Sequence, residues 1–166
     1  MAYSTLKPEF YQRDTLIVAR ELLGKYLVKD NLKLMITEVE AYVGPQDLAS
    51  HASKGRTART EVMFKEGGVW YVYFVYGMHW LLNIVTGEKD YPAAVLIRGV
   101  EGISGPARVT KAFGVDKTFN ALPAAKSTGL YIQDRGVVVG KIKSTPRIGV
   151  DFAGPVWSQK PYRFLL

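Results

Sequence analysis

The sequence predicts a single mixed α/β (α+β) domain, with a curved, mostly antiparallel β-sheet, short flanking helices and a protruding β-hairpin. Three observations predict it. Several segments alternate apolar and polar residues with the two-residue period of strands, and only two short segments have the pattern and the end signals of helices. The aromatic run at 69–85 contains a turn signal in its middle. The 166 residues, 48% of them hydrophobic, fit one domain over 1–166 with a substantial core.

The first helix is predicted over 15–23. Asp14 precedes it as an N-cap residue, and Gly24 suits the position after its last turn. Its buried side is predicted to carry Leu16, Ala19, Leu22 and Leu23. Two strands follow at 25–29 and 33–42, joined by the turn-forming pair Asp30-Asn31.

The second of these strands combines carboxylates with apolar residues. Strict alternation places five residues on one face: Leu34, Ile36, Glu38, Glu40 and Tyr42. One interpretation is that this end of the strand leaves the core, so that Glu38 and Glu40 face water as most glutamates do. The other is that one carboxylate lies in a cleft beside Tyr42, where burial would raise its pKa.

The stretch 69–85 predicts a β-hairpin that is unusually rich in aromatic rings. Its turn is Tyr76-Gly77-Met78, in which glycine can adopt positive φ. Five rings lie between Trp70 and Tyr76, and the last of them is at the turn itself. Either Tyr76 packs back on the sheet, or a binding partner covers it, because soluble proteins rarely leave a ring exposed at a loop tip.

The segment 44–68 is predicted to be rich in loops. His51, Lys54, Arg56 and Arg59 lie there among small residues, a composition that suits contacts with phosphates but is also found in solvated loops. After the hairpin, 93–99 is a short apolar strand with a charged residue near its end. A charge in such a strand needs an anionic partner, and its face is predicted to carry Ala94, Leu96 and Arg98.

The second helix is predicted to start at Ser104-Gly105-Pro106 and to end before Gly114. Arg108 and Lys111 are three residues apart on it and could both face phosphate. An irregular connection is expected at 116–130. The remaining chain alternates again, which predicts short antiparallel strands at 130–133, 137–143 and 146–150, with a turn at 134–136.

Composition excludes several functional classes. With no cysteine, the chain has no disulfide, thiolate metal site or cysteine nucleophile, and its two histidines lack the spacing of zinc motifs. We therefore expect no metal and no cofactor. No apolar run is long enough to span a membrane and no secretory signal is evident, so we expect an intracellular protein. The formal charge of +7 favours a nucleic-acid partner, although many basic proteins of this size bind none.

Several motifs, in order along nearly the whole chain, resemble the alkyladenine (3-methyladenine) DNA glycosylase family of the methylpurine-DNA glycosylase type. The most specific are ITEVEAYVGPQDLASHA at 36–52 and YVYFVYGMHWLLN at 71–83. Others are AAVLIRGVEG, GPARVTKAFGVDKTFN, RIGVDFAG and KPYRF. The resemblance implies an enzyme that removes 3-methyladenine, 7-methylguanine, hypoxanthine or ethenoadenine from duplex DNA, with no metal and no strand-cleaving lyase step.

The same resemblance implies roles for individual residues. Glu40 activates the attacking water, with Arg98 as the active-site arginine. The base pocket comprises Tyr42, His51, Tyr73 and Asn83, and the last of these discriminates against guanine. Tyr76 intercalates into the duplex. Further DNA contacts are expected from Arg56, Arg59, Met63, Met78, Arg108 and Lys111.

One loop departs from the family pattern. Where the family often has TPRN, this chain has Thr57-Ala58-Arg59-Thr60, which leaves the conformation of the loop open. The residues themselves also leave alternatives open. Arg98 could form a structural ion pair with Glu38, and each ring alone could be ordinary core.

The leading hypothesis is a monofunctional DNA glycosylase that acts as a monomer on duplex DNA containing damaged purines. Two rivals remain. One is a catalytically silent nucleic-acid-binding module that uses the same rings and basic surface. The other is a hydrolase of free nucleosides.

Overall fold

The computed structural model describes residues 3–166, and ten strands form its single sheet. The strands are β1 Ser4–Thr5, β2 Tyr26–Lys29, β3 Leu32–Val43, β4 Trp70–Val75, β5 His79–Val85, β6 Ala93–Val100, β7 Ile103–Ser104, β8 Leu130–Asp134, β9 Lys143–Thr145 and β10 Arg163–Leu165. They run in the order β1-β8-β2-β3-β6-β5-β4, with β7 beside β6 and β10 linking β3 to β9. Every pairing is antiparallel, so the predicted mixed α/β fold with a curved antiparallel sheet is confirmed.

The helices are short: α1 Pro8–Tyr11, α2 Thr15–Leu22, α3 Pro106–Phe113 and α4 Gly154–Trp157. The predicted start of α2 is confirmed, because the Asp14 carboxylate accepts the N–H groups of Leu16 and Ile17 at 3.0 and 3.2 Å. The predicted end of α3 is also confirmed, since Gly114 has a φ of 64°. Five 3-10 helices lie in the connections (His51–Lys54, Glu61–Phe64, Lys117–Phe119, Lys126–Thr128 and Asp151–Ala153). Among residues 3–166, no helix is long and apolar enough to cross a membrane.

The core lies on one face of the sheet, under α2 and α3. Its fully buried side chains include Trp70, Leu22, Leu82, Ile84 and Ile97. On the opposite face the strands carry polar and aromatic side chains. There the covering comes from the two long connections 44–68 and 146–157, which supply two smaller apolar clusters. The sheet therefore separates a scaffold side from a side that can hold a ligand.

A distortion in β3 and β6 changes which residues of β3 face the core. The regular pairing is interrupted where Glu38 pairs with Gly99. Before this point, Leu34 and Ile36 pack in the core, and after it Val39 and Ala41 do so. The prediction that Leu34 and Ile36 share a face with Glu38, Glu40 and Tyr42 is therefore wrong, because alternation cannot reveal a shift of one residue. The carboxylates lie on the ligand side.

The prediction of strands at 137–143 and 146–150 is wrong. Within the first stretch, Val137 and Val139 pack over Gly24 instead of pairing with a strand. In the second, Pro146 has no N–H, Gly149 has a φ of 73°, and the N–H of Ile148 binds a side chain. The strands that do form near the C-terminus are β9 and β10, and the sequence pattern did not reveal β10 or the short β1.

Candidate active site

Cross-strand pairing builds the wall of the site from four adjacent strands. Glu40 on β3 pairs with Leu96 on β6, which pairs with Asn83 on β5, which in turn pairs with Tyr71 on β4. Side chains of paired residues in an antiparallel sheet project to the same face. Residues far apart in sequence therefore form one row on the ligand side.

Glu40 is 1% exposed, and both of its carboxylate oxygens are held in place. The Tyr42 hydroxyl donates to Oε1 at 3.0 Å, and the Ile148 backbone N–H donates to Oε2 at 2.8 Å. Burial raises the pKa of Glu40, opposed by the Ile148 hydrogen bond, by the charge of Arg98 and by the Tyr42 hydrogen bond. An ionised carboxylate offers about four lone-pair sites, so two remain for a water molecule. The interpretation that Glu40 faces water is thus wrong.

Arg98 contacts both carboxylates of β3. Its Nε lies 3.2 Å from Glu38 Oε2 and 3.9 Å from Glu40 Oε2. Arg163 also donates to Glu38 Oε2. Arg98 therefore lies beside the predicted catalytic Glu40 and also forms the alternative ion pair with Glu38. Glu38 is the nearer partner, and Arg163 supplies it with a second positive charge.

A cleft of about 360 Å³ opens above Glu40. That volume lies within the usual range for ligand sites. Five of the predicted site residues line the cleft, together with side chains from the 146–152 segment: Glu40, Tyr42, His51, Tyr76 and Arg98. The structure therefore brings together the predicted catalytic pair, two of the three pocket rings and the predicted intercalating residue.

The third ring extends the same wall. His51 stacks on Tyr73 with ring centroids 3.7 Å apart and an interplanar angle of 22°. The Arg59 guanidinium lies 4.2 Å from the centre of the Tyr73 ring and donates to the Phe74 carbonyl at 2.8 Å. Partial burial, together with the nearby Arg59, lowers the pKa of His51 to about 4. The His51 ring is therefore neutral near pH 7.

The tip of the β4–β5 hairpin carries Tyr76, which is 89% exposed. Tyr76 and Gly77 have φ values of 55° and 64°, and the Val75 carbonyl accepts the Met78 N–H at 3.1 Å. Positive φ at both central residues is the requirement of a type I′ turn. Tyrosine is strained at such a position, and Tyr76 does not pack back on the sheet. The interpretation of an ordinary packed turn tyrosine is wrong.

The chain is similar to known proteins over most of its length. The family model described as "Methylpurine-DNA glycosylase (MPG)" matches residues 9–104 and 100–166. The chain belongs to the methylpurine-DNA glycosylase family.

Relatives agree over almost the full length. A protein of Methanocella arvoryzae is 44% identical over 183 residues, covering 96% of this chain and 90% of the relative. One of Myxococcus xanthus is 42% identical, with 95% and 88% covered, and one of Sodalis glossinidius is 39% identical, with 99% and 98% covered. Each bears the name "Putative 3-methyladenine DNA glycosylase". The resemblance found in the sequence is confirmed, and with it a place among DNA glycosylases.

Within this member of the methylpurine-DNA glycosylase family, Asn83 lies behind the cleft. It is buried, and its Nδ2 donates to the Tyr71 carbonyl at 3.2 Å. Met63, which we expected to contact DNA, is 2% exposed and lines the same small cavity as Asn83, Tyr42 and His51. Met63 therefore lies with the residues predicted to form the base pocket and not on the protein surface.

The predicted basic contacts fall into two groups. Arg108 and Lys111 are exposed on α3 and, with Met78, line a groove beside the hairpin. Arg56 is paired with the carboxylates of Glu61, at 2.8 and 3.0 Å, and of Asp90, at 3.1 Å. A phosphate would have to compete with these carboxylates, so a contact from Arg56 stays a prediction.

The loop that departs from the family pattern is closed by a threonine. Thr60 is buried, its Oγ1 accepts the Thr57 N–H at 2.9 Å, and it donates to the Gly55 carbonyl at 3.1 Å. Next to it, Arg59 supports Tyr73. The loop therefore has a defined conformation although it lacks the proline and asparagine of the family pattern.

Sequence reasoning missed three parts of the site. The backbone N–H of Ile148 binds Glu40, the Tyr71 hydroxyl lies 3.4 Å from His51 Nδ1, and a buried pair joins Asp47 to Arg147. Burial raises the pKa of Tyr71, which keeps its hydroxyl protonated and able to donate to neutral His51. All of these residues lie inside the quoted family motifs, but only their contacts reveal what they do.

Proposed function

We propose that this protein is a monofunctional glycosylase that excises alkylated or deaminated purines from duplex DNA and acts as a monomer. One observation carries the proposal: a buried, hydrogen-bonded carboxylate, Glu40, lies at the base of a ring-lined cleft whose rim carries the exposed Tyr76. The names of the relatives support a 3-methyladenine substrate. The family resemblance extends this to 7-methylguanine, hypoxanthine and ethenoadenine.

Tyr76 fills the gap that a displaced nucleotide leaves. Extruding a base costs a few kcal/mol for an intact pair and less for a damaged one. A ring on a narrow hairpin can enter the minor groove and occupy the vacated stack. Tyr76 is 89% exposed among residues 3–166, which leaves it free for this contact, and Arg108 and Lys111 lie beside the hairpin where phosphates would pass.

The extruded purine then stacks among Tyr42, His51 and Tyr73. An N-alkylated purine is cationic, and electron-rich rings favour a cation by about 0.5–2 kcal/mol. The lowered pKa of His51 matters here, because a neutral imidazole does not repel such a base. Asn83 behind the rings disfavours the exocyclic amino group of guanine. We infer that 7-methylguanine, which carries the same group, is accepted because its positive charge favours stacking and weakens its N-glycosidic bond.

Glu40 performs the hydrolysis as a general base. A water bound to its free lone pairs attacks the sugar C1′ and transfers a proton to the carboxylate. The N-glycosidic bond breaks and its electron pair leaves with the purine. Positive charge that develops on the sugar is stabilised by the same carboxylate. None of the lysines within residues 3–166 lines the cleft around Glu40, so simple hydrolysis that leaves an abasic site is the expected outcome.

A base-release assay tests the proposal, using duplexes that carry hypoxanthine, ethenoadenine, 3-methyladenine or 7-methylguanine. Wild-type protein should release at least one of these bases without cutting the strand. The Glu40→Gln variant should bind the same duplex but release the base roughly 10²–10⁴-fold more slowly, since a general base contributes about that factor.

The rival functions predict different results. A wild-type protein that binds damaged duplex but releases no purine would be a catalytically silent binding module. Turnover of free nucleosides as fast as lesion-bearing duplex would make the protein a nucleoside hydrolase. Release of base by Glu40→Gln at the wild-type rate would refute the role of Glu40.

A further inference from the structure

A buried ion pair lies directly behind the proposed active site. Asp47 and Arg147 are 100 residues apart in the chain, and their side chains are 0% exposed. Arg147 Nη1 donates to Asp47 Oδ2 at 2.6 Å and Nη2 donates to Oδ1 at 2.9 Å. This is the two-pronged geometry in which arginine binds carboxylate most strongly.

The pair also fastens the backbone of several segments. Arg147 donates to the carbonyls of Ala41 on β3, at 2.9 Å, and of Trp157 on α4, at 3.2 Å. Asp47 accepts the N–H groups of Val43 and Ala49, both at 3.0 Å. One ion pair thus fixes β3, the connection after it, the 146–150 segment and α4 relative to one another.

Both hydrogen bonds to Glu40 depend on groups that Arg147 touches. Ile148, which donates to Glu40 Oε2, is the next residue in the chain. The Arg147 guanidinium lies 4.9 Å from the centre of the Tyr42 ring, and Tyr42 donates to Glu40 Oε1. A change in the position of Arg147 would therefore disturb both oxygens of the carboxylate.

Stability alone is a weak reason for such a pair. Desolvating two charges costs several kcal/mol per ion, and replacing a buried pair with apolar residues of similar size is often neutral or stabilising. Arg147 Nε is also buried and has no hydrogen-bond partner in the described part of the chain, which is a further cost. An apolar pair could not hold the backbone groups of these segments in place by hydrogen bonds, which the Asp47–Arg147 pair does.

We propose that Asp47 and Arg147 are positioning residues that align Glu40 for attack, through the Ile148 N–H and the Tyr42 ring. The proposal rests on the function given to Glu40 above. The Asp47–Arg147 pair touches neither substrate nor reacting atoms in the proposed reaction. Its removal should therefore impair the chemical step more than DNA binding.

The test compares wild type with the double variant Asp47→Leu/Arg147→Met, which removes both charges together, and with Arg147→Lys, which keeps the charge but not the two-pronged fork. In the folded double variant, the single-turnover rate of base release should fall about 10–100-fold, as for a misplacement near 1 Å. Its affinity for lesion duplex should stay within about threefold. Arg147→Lys should have an intermediate rate. It also serves as the test variant if the double variant does not fold.

A readout independent of catalysis is hydrogen exchange of the Ile148 amide, followed by NMR. This amide should exchange faster in the double variant than in wild type, relative to core amides such as that of Ile84. The control variant is Arg13→Gln/Glu21→Gln, which removes an exposed pair with a separation of 2.7 Å between the residue before the N-cap of α2 and the last turn of that helix. It should alter neither the rate nor the Ile148 amide.

Three results would overturn the proposal: an unchanged rate, an unchanged Ile148 amide, or a rate and an affinity that fall together in proportion to lost stability. If wild type releases no base while the Ile148 amide still loses protection in the double variant, the alignment is supported and the function proposed for Glu40 is wrong.

Discussion

The hairpin tip and the corner around Glu40 are built in opposite ways. Tyr76 is 89% exposed, has a strained backbone and forms no side-chain hydrogen bond with residues 3–166, whereas Glu40 is 1% exposed and has both oxygens bound. The corner is complete before any ligand arrives, which is what a preorganised site requires. The tip is exposed, and in the proposed reaction its contacts come from DNA. In the proposed reaction, DNA deformation and bond cleavage are therefore assigned to separate regions.

Removal of the Tyr76 ring is expected to have the largest effect on activity after that of Glu40→Gln, and it tests whether the two regions act separately. For Tyr76→Ala, kcat/KM on a duplex lesion should fall about 10–100-fold, because part of the unstacking cost is no longer offset. The measurement is base release with the same lesion placed in a paired and in an unpaired context. The loss should be smaller where the base is already unstacked.

Tyr3→Ala is the matched control for that experiment. Tyr3 is also an exposed tyrosine, but it precedes β1, at the opposite end of the sheet from β4. Its removal should leave kcat/KM unchanged. Equal losses on paired and unpaired lesions in Tyr76→Ala would contradict a wedge role, because they would show that the ring acts on the chemical step.

The pH dependence of the reaction rate tests the role of the Glu40 carboxylate and does not involve the hairpin tip. Burial raises the pKa of Glu40, and a protonated carboxyl cannot accept a proton from water. Activity on 7-methylguanine, a cationic leaving group that needs no acid, should therefore be lost as pH falls through a midpoint above the usual glutamate value of about 4.3. Single-turnover rates measured across the acidic and neutral range determine this midpoint.

Protonation of His51 could also reduce binding of a cationic base at low pH, since its own pKa is about 4. In His51→Gln the midpoint should stay the same, because the titrating group is Glu40. A rate that does not change through the acidic range, or a midpoint that moves with His51, would show that the Glu40 carboxylate is not the base.

The smallest expected effect concerns stability at the tip. Tyr76→Asn creates Asn-Gly, the pair that type I′ turns prefer, and it should raise the free energy of unfolding by about 0.5–1 kcal/mol. Chemical denaturation measures this change. Gly77→Ala serves as the control with the opposite sign and should lower the free energy of unfolding. A Cβ at this position has no neighbouring atom within 4 Å, so the loss would come only from the φ of 64°. A less stable Tyr76→Asn would mean that the Tyr76 ring contributes to folding.

Much of the fold could be predicted because local signals specify it. Asp14 and Gly24 mark the ends of α2, and Gly114 marks the end of α3. The turn at Tyr76-Gly77 locates the hairpin. Pairing between strands that are distant in sequence could not be predicted. One example is β10, in which Arg163 pairs with Glu40 of β3, and whose own sequence has no pattern that indicates a strand.

The site was predictable only for side chains within specific motifs. Glu40, Tyr42 and His51 line one cleft, and the roles that the family resemblance implies for them stay predictions. The N–H of Ile148 could not be found in this way, because every residue except proline supplies a backbone donor and only the fold directs this one at Glu40. Nor could the pairing of Asp47 with Arg147, since a link across 100 residues has no local signature.

The distortion where Glu38 meets Gly99 also determines how β3 tolerates substitution. A Cβ on Gly99 would lie 3.2 Å from the Cβ of Glu38, so a side chain there would require Glu38 to shift by a few tenths of an ångström. Up to Ile36, it is the even-numbered positions that need apolar residues for folding, and from Val39 onward it is the odd-numbered ones. Folding therefore constrains one set of residues in this strand, and the proposed catalysis constrains the other set, on the opposite face.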